Sequence, residues 1–230
     1  MARARDTGEA TFRIYGWRRP TLSFGRNESV HGRFTAERLE AHGTDAVRRP
    51  TGGRVLLHDG DVTYSITAPA PDTESVRAAF ARINQLLKAG LALLGVGASE
   101  AVRGRVLRPG RDACFAEPSA GELVVEGRKL VASAQQRDAG ALLQHGSILL
   151  VDRQGRIAEL ANEAMAATAP AATLEESLRR PVRRDEVRNA LRAALEAAAG
   201  GVQMLDADEA RAWSLPYVDR FADPEWTWRR

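Results

Sequence analysis

The sequence predicts a mixed α/β fold of the α+β type, a β-sheet core flanked by helices and followed by a helical C-terminal segment. Three observations predict it. Short apolar runs separated by Gly, Pro and Asp turn signals dominate the first 155 residues. One long run from Thr73 to Leu94 keeps helical spacing among them, and beyond Gly155 the whole pattern turns helical. The expected organisation is a core over 1–155, with a segment over 156–230 packing on the same domain.

Taken in order, Thr11–Tyr15 and Thr21–Gly25 read as strands around a turn at Gly16–Pro20. Phe34–His42 reads as a short helix closed by Gly43. Ala46–Arg49 is extended, as residues ahead of Pro50 prefer. A glycine loop, Thr51-Gly52-Gly53-Arg54, leads into Val55–Leu57, the turn His58-Asp59-Gly60-Asp61, and Val62–Thr67, the pattern of a hairpin. Val76, Phe80, Ile83, Leu87, Leu91 and Leu94 share one helical face, ended by Gly95. Val96–Val106 reads as a strand plus loop. Leu123–Val125 and Lys129–Ala134 flank a Glu126-Gly127 turn, and Leu142–Val151 is apolar enough for a central strand. Ala161–Ala172 has the low complexity of a mobile link, and Thr173-Leu174-Glu175-Glu176 has a capping-box pattern. Val187, Leu191, Ala194, Leu195 and Ala198 mark an amphipathic helix that stops at Gly200-Gly201. The tail, Trp213–Arg230, carries three tryptophans and is expected to fold back onto the body.

Composition narrows the class. With 230 residues, 44% hydrophobic and 27% charged, the chain can bury a core without a metal or disulfide. One cysteine forms no internal disulfide, which fits a reducing compartment. The start, MARARDTGEA, lacks the apolar stretch of a signal peptide, and no run of about 18 apolar residues offers a membrane span. A cytoplasmic protein without a membrane partner is the expectation. The net charge is +3, with arginines clustered at Arg48–Arg49–Arg54, Arg103–Arg105–Arg108–Arg111 and Arg179–Arg180–Arg183–Arg184. Such clusters either meet phosphates or an acidic partner, or form solvated faces. Aromatics make up 6% and do not interleave with these clusters, which argues against nucleic acid. Four histidines and one cysteine, widely spaced, argue against a metal site.

Two rare side chains stand fifteen positions apart, Cys114 and Lys129. A thiolate is a strong nucleophile, and nearby cations such as Arg111 or Lys129 favour it; a lone cysteine is also often just a small buried hydrophobe. Of 33 basic residues only Lys88 and Lys129 are lysine. A retained lysine suggests a need for a compact, titratable amine. His58 and His145, the latter beside Gly146-Ser147, could join a nucleophile–histidine site or simply hold backbone. Gly52-Gly53 would let backbone approach a ligand or merely connect strands. Neither nucleotide fingerprint, G-x-G-x-x-G after a strand or G-x-x-x-x-G-K-[ST], is present.

Three segments in fixed order carry more: RIYGWRRPTLSFGRNESV at 13–30, VRRPTGGRVLLHDGDVTYSI at 47–66, and CFAEPSAGELVVEGRKLVASAQQRDAGALLQHGSILL at 114–150. Together they resemble the biotin/lipoate protein ligase and octanoyltransferase superfamily, and most of all its cysteine-dependent octanoyltransferase subgroup related to lipoate-protein ligase A. The resemblance implies a mixed sheet flanked by helices, with an acyl tunnel beside the arginine–glycine motif. It implies that Cys114, in its C-F-x-x-P-S context, is a nucleophile, and that Lys129, in E-G-R-K, points at the acyl carbonyl. Arg49, Gly52, Gly53, Arg54, His58, Ser133, His145 and Gly146 are the implied substrate-binding residues, with Leu56 and Leu149 lining the tunnel. No cofactor and no metal are implied. Octanoyl-acyl carrier protein would be the donor, and ATP would enter only in a ligase. The acceptor would be a lipoyl-domain protein, such as glycine cleavage H protein or a dehydrogenase E2 subunit. Other readings are an amidotransferase between lipoyl domains, an ATP-dependent lipoate ligase, or a non-catalytic acyl-binding protein. Relatives carry a helix before the first strand; with about ten polar residues there, this chain is expected to lack it.

Overall fold

Two β-sheets meet in this computed structural model, which describes residues 1–102, 113–115, 118–165 and 169–229. The larger sheet runs β1 (Thr11–Tyr15), β5 (Asp61–Pro69), β9 (Ala141–Leu149), β8 (Arg128–Asp138), β7 (Leu123–Val125) and β6 (Ser99–Glu100) in spatial order. Every pairing in it is antiparallel. The smaller places β2 (Thr21–Phe24) between β3 (Asp45–Arg48), parallel to it, and β4 (Leu56–His58), antiparallel. The β7–β8 hairpin forms as its sequence suggests. Glu126 and Gly127 take φ of 50° and 76°, the left-handed pair that matches the twist of the strands on either side.

The Asp59-Gly60 turn, by contrast, closes no hairpin. β4 pairs with β2 in the smaller sheet, while β5 enters the larger. Alternation along the strands suits either arrangement; burial decides between them. Leu57 belongs to the core of the smaller sheet, and Val62 and Tyr64 to that of the larger. The turn is therefore a corner between sheets. The Gly60 carbonyl accepts from the Leu150 and Val151 N–H groups at 2.9 and 3.1 Å, and Asp59 is bridged by Arg153 at 3.2 Å and Arg156 at 2.5 Å.

Helices α3 (Val76–Leu93) and α6 (Arg184–Ala199) pack together on one face of the larger sheet. Ile83, Leu87, Leu91, Val187 and Leu191 bury there against Leu130, Leu142 and Ile148, each such side chain contributing about 1.5–3 kcal/mol. The Ser75 hydroxyl caps α3 by accepting from the Ala78 N–H at 3.0 Å. On the smaller sheet, α2 (Ala36–Ala41) and α4 (Ile157–Leu160) bury Leu39, Ile157 and Leu160 against Leu22, Phe24 and Leu57. A short helix α5 (Leu174–Leu178) is capped by Thr173, whose hydroxyl accepts from the Glu176 N–H at 3.2 Å.

Several expectations are corrected. A helix, α1 (Ala2–Thr7), does precede the first strand; it buries Ala4 at the larger sheet and sends Arg5 to Asp138 at 3.4 Å. One buried alanine leaves too faint a pattern to be read from sequence. The Ala161–Ala172 stretch is no loose link at its described ends: Ala161, Ala171 and Ala172 are buried, and Ala171 and Ala172 donate to Asp152 and to the Lys129 carbonyl at 2.8 and 3.0 Å. Residues 166–168 lie outside the described residues. So do 103–112, which take in the cluster Arg103–Arg105–Arg108–Arg111 and the end of the stretch expected over Val96–Val106; of its described residues, Ser99–Glu100 form β6. In the tail, within the segment read as helical, α7 (Ala207–Ala222) forms with Pro216 inside it. It leads to α8 (Pro224–Trp228), whose Trp228 ring lies 5.6 Å from that of Phe24. Among the described residues no helix is long and apolar enough to cross a membrane, and no cluster of three His, Cys, Asp or Glu could hold a metal ion.

Candidate active site

A cavity of about 520 Å3 opens where the two sheets meet. Its walls come from both sheets: Ser23, Arg49, Leu56 and His58 on one side, Thr63, Lys129, Ala132, Ser133, His145 and Gly146 on the other. Cys114 lies on this wall as well, anchored by its N–H donating to the Val55 carbonyl at 2.8 Å. Beneath it, Leu56, Phe115, Ala132, Leu149 and Ala171 make a small apolar cluster against which Cys114 packs. The cysteine thus has an apolar footing on one side and the cavity on the other.

Lys129 is the second residue of the long strand β8 and is buried. Its Nζ donates to the Cys114 carbonyl at 2.5 Å and pairs with Glu122 Oε2 at 2.6 Å. Glu122 also accepts from the Ser119 N–H at 2.6 Å. One carboxylate thus joins the lysine to the loop that follows the cysteine. Sequence reasoning missed Glu122, though a lysine this buried needs a counter-charge, and the first acidic residue upstream beyond the Glu126-Gly127 turn supplies it.

The Arg48–Arg49 pair divides into two tasks, because neighbouring residues at the end of a strand face opposite ways. Arg48 is 1% exposed, and its guanidinium donates to the carbonyls of Gly25, Glu28, Thr227 and Arg229 at 2.7, 2.8, 2.9 and 2.7 Å. It ties the tail helix α8 to the smaller sheet, helped by Trp226 Nε1, which donates to the Arg48 carbonyl at 2.8 Å. Arg49 turns instead to the glycine loop, donating to the Ser23, Gly52 and Arg54 carbonyls at 2.8, 3.2 and 2.6 Å. Gly53 holds φ of 98°, and its carbonyl passes so near Gly25 that a Cβ there would lie 1.8 Å away.

Two histidines face the cavity with different partners. His58 Nδ1 lies 2.8 Å from Asp61 Oδ2, and its ring stacks on Trp17 at 4.3 Å. Burial opposes the charge of Asp61, but hydrogen bonds from His58, Ser147 and Thr63 outweigh it and hold the carboxyl below its usual range. His145 Nε2 lies 2.6 Å from Thr51 Oγ1. Burial, followed by the nearby Arg49 and His58, pushes the His145 pKa down to about 3, so the ring is neutral. Further in, Tyr64, Gly146 and Ser133 lie opposite one another across three strands, with the Tyr64 hydroxyl 2.7 Å from Ser133 Oγ.

Of the residues singled out from sequence, Cys114, Lys129, Arg49, Gly53, Arg54, His58, Ser133, His145 and Gly146 line this one cavity. Gly52 does not; nothing lies within 4 Å of where its Cβ would be. Leu56 is on the wall, whereas Leu149 is fully buried behind it. Beyond the expected set, Tyr15, Trp17, Phe80 and Phe221 contribute aromatic wall, the last from α7. No local signal ties Phe221 or Phe80 to the motif segments.

The profile of the lipoyl protein ligase A/B catalytic domain matches residues 1–196. Octanoyltransferase LipM of Kyrpidia tusciae is 45% identical over 65% of this chain and 58% of its own length. That match therefore spans little more than half of the relative. Octanoyltransferase LipM of Halalkalibacterium halodurans is 34% identical over 96% of this chain and 87% of its own length. In fold, the chain resembles lipoate-protein ligase A in its crystal structure with ATP, at a TM-score of 0.79 and 20% identity over 99% of this chain and 90% of that one.

Proposed function

Because this chain belongs to the lipoyl protein ligase A/B catalytic-domain family, we propose that it is an octanoyltransferase working through a thioester on Cys114. The donor in this reading is octanoyl-acyl carrier protein and the acceptor is the lysine of a lipoyl domain. The observation that carries it is the meeting of Cys114 and Lys129 on the wall of a largely apolar cavity. The relatives named octanoyltransferase, one of them matched over most of both chains, support it.

The chemistry runs in two balanced steps. The Cys114 thiolate attacks the thioester carbonyl of the donor; a new C–S bond forms, the old one breaks, and the carrier departs as a thiol once it takes a proton. A thioester replaces a thioester, so the step draws no energy from ATP. The acceptor amine then attacks the octanoyl-Cys114 carbonyl. An amide C–N bond forms, the Cys114 C–S bond breaks, and the proton lost by the amine ends on the departing sulfur. Lys129 fixes the backbone of the nucleophile and places its ammonium beside the site where negative charge develops on oxygen.

The test is octanoyl transfer from octanoyl-acyl carrier protein to a purified lipoyl domain, with and without ATP. Transfer at the same rate in both supports the reading. Transfer of free octanoate or lipoate only when ATP is present would replace it with a ligase.

A further inference from the structure

We propose that Asn84, a buried residue of helix α3, is a positioning residue for the Glu122–Lys129 pair, which it holds through the carbonyl of Gly121. The proposal rests on Cys114 and Lys129 carrying the acyl transfer. Asn84 is 1% exposed and lies on the face of α3 that also buries Ile83, Leu87 and Leu91 in the core of the larger sheet. A hydrophobic side chain is what such a position calls for. Asparagine is a below-average helix former, and its amide must be matched when it is buried. Only half of it is. Nδ2 donates to the Gly121 carbonyl at 2.6 Å, while Oδ1 is buried and, among the described residues, has no partner. An unmatched buried acceptor is destabilising, and an apolar residue here would remove it.

What the matched half grips gives the residue a role. Gly121 is held on three sides. Its N–H donates to the Ala101 carbonyl at 2.9 Å, and its carbonyl accepts from Asn84. Phe80, one turn before Asn84 on α3, stands where a Cβ on Gly121 would meet its ring at 3.7 Å. The φ of 86° at Gly121 is a left-handed conformation that glycine takes without strain. The residue that leaves this turn is Glu122. Its N–H donates to the Ser119 carbonyl at 3.0 Å, and its carboxylate accepts from the Ser119 N–H and pairs with Lys129 Nζ, both at 2.6 Å. Lys129 in turn donates to the Cys114 carbonyl.

Phe80, Ser119, Glu122, Lys129 and Cys114 line the cavity, and Asn84 does not. It stands behind the wall and acts through a single carbonyl. From there it sets where carboxylate, ammonium and nucleophile stand relative to one another, and small misplacements of reacting groups are costly in rate. A residue that weakens its own helix face while ordering a site loop breaks local rules where function requires it.

Asn84→Leu separates this role from a structural one. It keeps a similar volume, removes the unmatched acceptor, and leaves the carbonyl of half-buried Gly121 to water. Its melting temperature should equal or exceed the parent's. Formation of octanoyl-Cys114 at saturating octanoyl-acyl carrier protein should slow by about tenfold, with the half-saturating donor concentration within about twofold of the parent's. Hydrogen exchange at the Ser119, Gly121 and Glu122 amides should quicken by about tenfold, with α3 unchanged. As a control, Leu91→Val, in the same helix face, should lower the melting temperature and leave transfer at the parental rate. Parental transfer in folded Asn84→Leu, unchanged exchange in the loop, or an equal loss of transfer in Leu91→Val overturns the proposal. Should Asn84→Leu fail to fold, Asn84→Ser, too short to reach Gly121, decides by the same rate and exchange. Exchange needs no acyl donor. A parent protein that takes up no octanoyl overturns the substrate reading alone, and the loop amides then decide whether Asn84 holds the loop.

Discussion

The ammonium of Lys129 meets Cys114 at its backbone carbonyl, 2.5 Å away, while Glu122 closes the lysine's charge from 2.6 Å. A compact ammonium with three donors can serve both partners and still face the cavity; a planar guanidinium cannot take the same three directions. Lys129→Arg is therefore expected to keep the fold, because Glu122 retains a cation, and to lose acyl transfer by about 100-fold or more. Single-turnover acylation, with the melting temperature as a control on folding, checks this.

Arg48 is a structural arginine whose loss should be felt in stability. Replacing it with Met leaves the Gly25, Glu28, Thr227 and Arg229 carbonyls without their shared donor. Each buried unsatisfied group costs about 1–3 kcal/mol, and water reaching the loosened tail offsets part of the total. Arg48→Met should lose about 3–5 kcal/mol in denaturant unfolding. Hydrogen exchange should rise first in α8, which Arg48 ties to the sheet.

His145 should give stability a distinct slope in mild acid. Its folded pKa is pushed from 6.5 down to about 3. Below about pH 6.5 the unfolded chain takes up a proton that the folded chain refuses, so the unfolded state gains. The contribution is complete above that pH and is lost as pH falls toward about 3, at up to ~1.4 kcal/mol per pH unit. Asp61, whose carboxyl sits below its usual 3.8, adds its own slope only as pH falls toward 3.8 and below it, under the range that tests His145. Denaturant midpoints between pH 7 and 4.5 should fall in the parent and stay flatter in His145→Gln.

Much of this was legible in the chain because local rules and the motif segments agree. The Glu126-Gly127 hairpin, the α3 face and the Thr173 cap follow from turn chemistry, period and capping, each of which acts within a few residues. The cavity residues were legible only through the three segments taken together. What escaped depends on distance in sequence. Leu57 and Val62 look alike as strand residues, and only the fold sends them into different cores. Arg48 and Arg49 are chemically identical neighbours whose roles are set by which carbonyls their guanidiniums meet, those of Thr227 and Arg229 among them. Phe221 reaches the cavity from α7, far along the chain from the motif segments.

The central claim is that Cys114 carries the acyl group, and intact mass tests it most directly. The protein is mixed with octanoyl-acyl carrier protein in the absence of ATP and weighed before and after. The account predicts one octanoyl adduct, lost on hydroxylamine treatment as a thioester should be, and absent from Cys114→Ala. An adduct that persists in Cys114→Ala, or no adduct in a parent protein that still transfers octanoyl to the lipoyl domain, would contradict it.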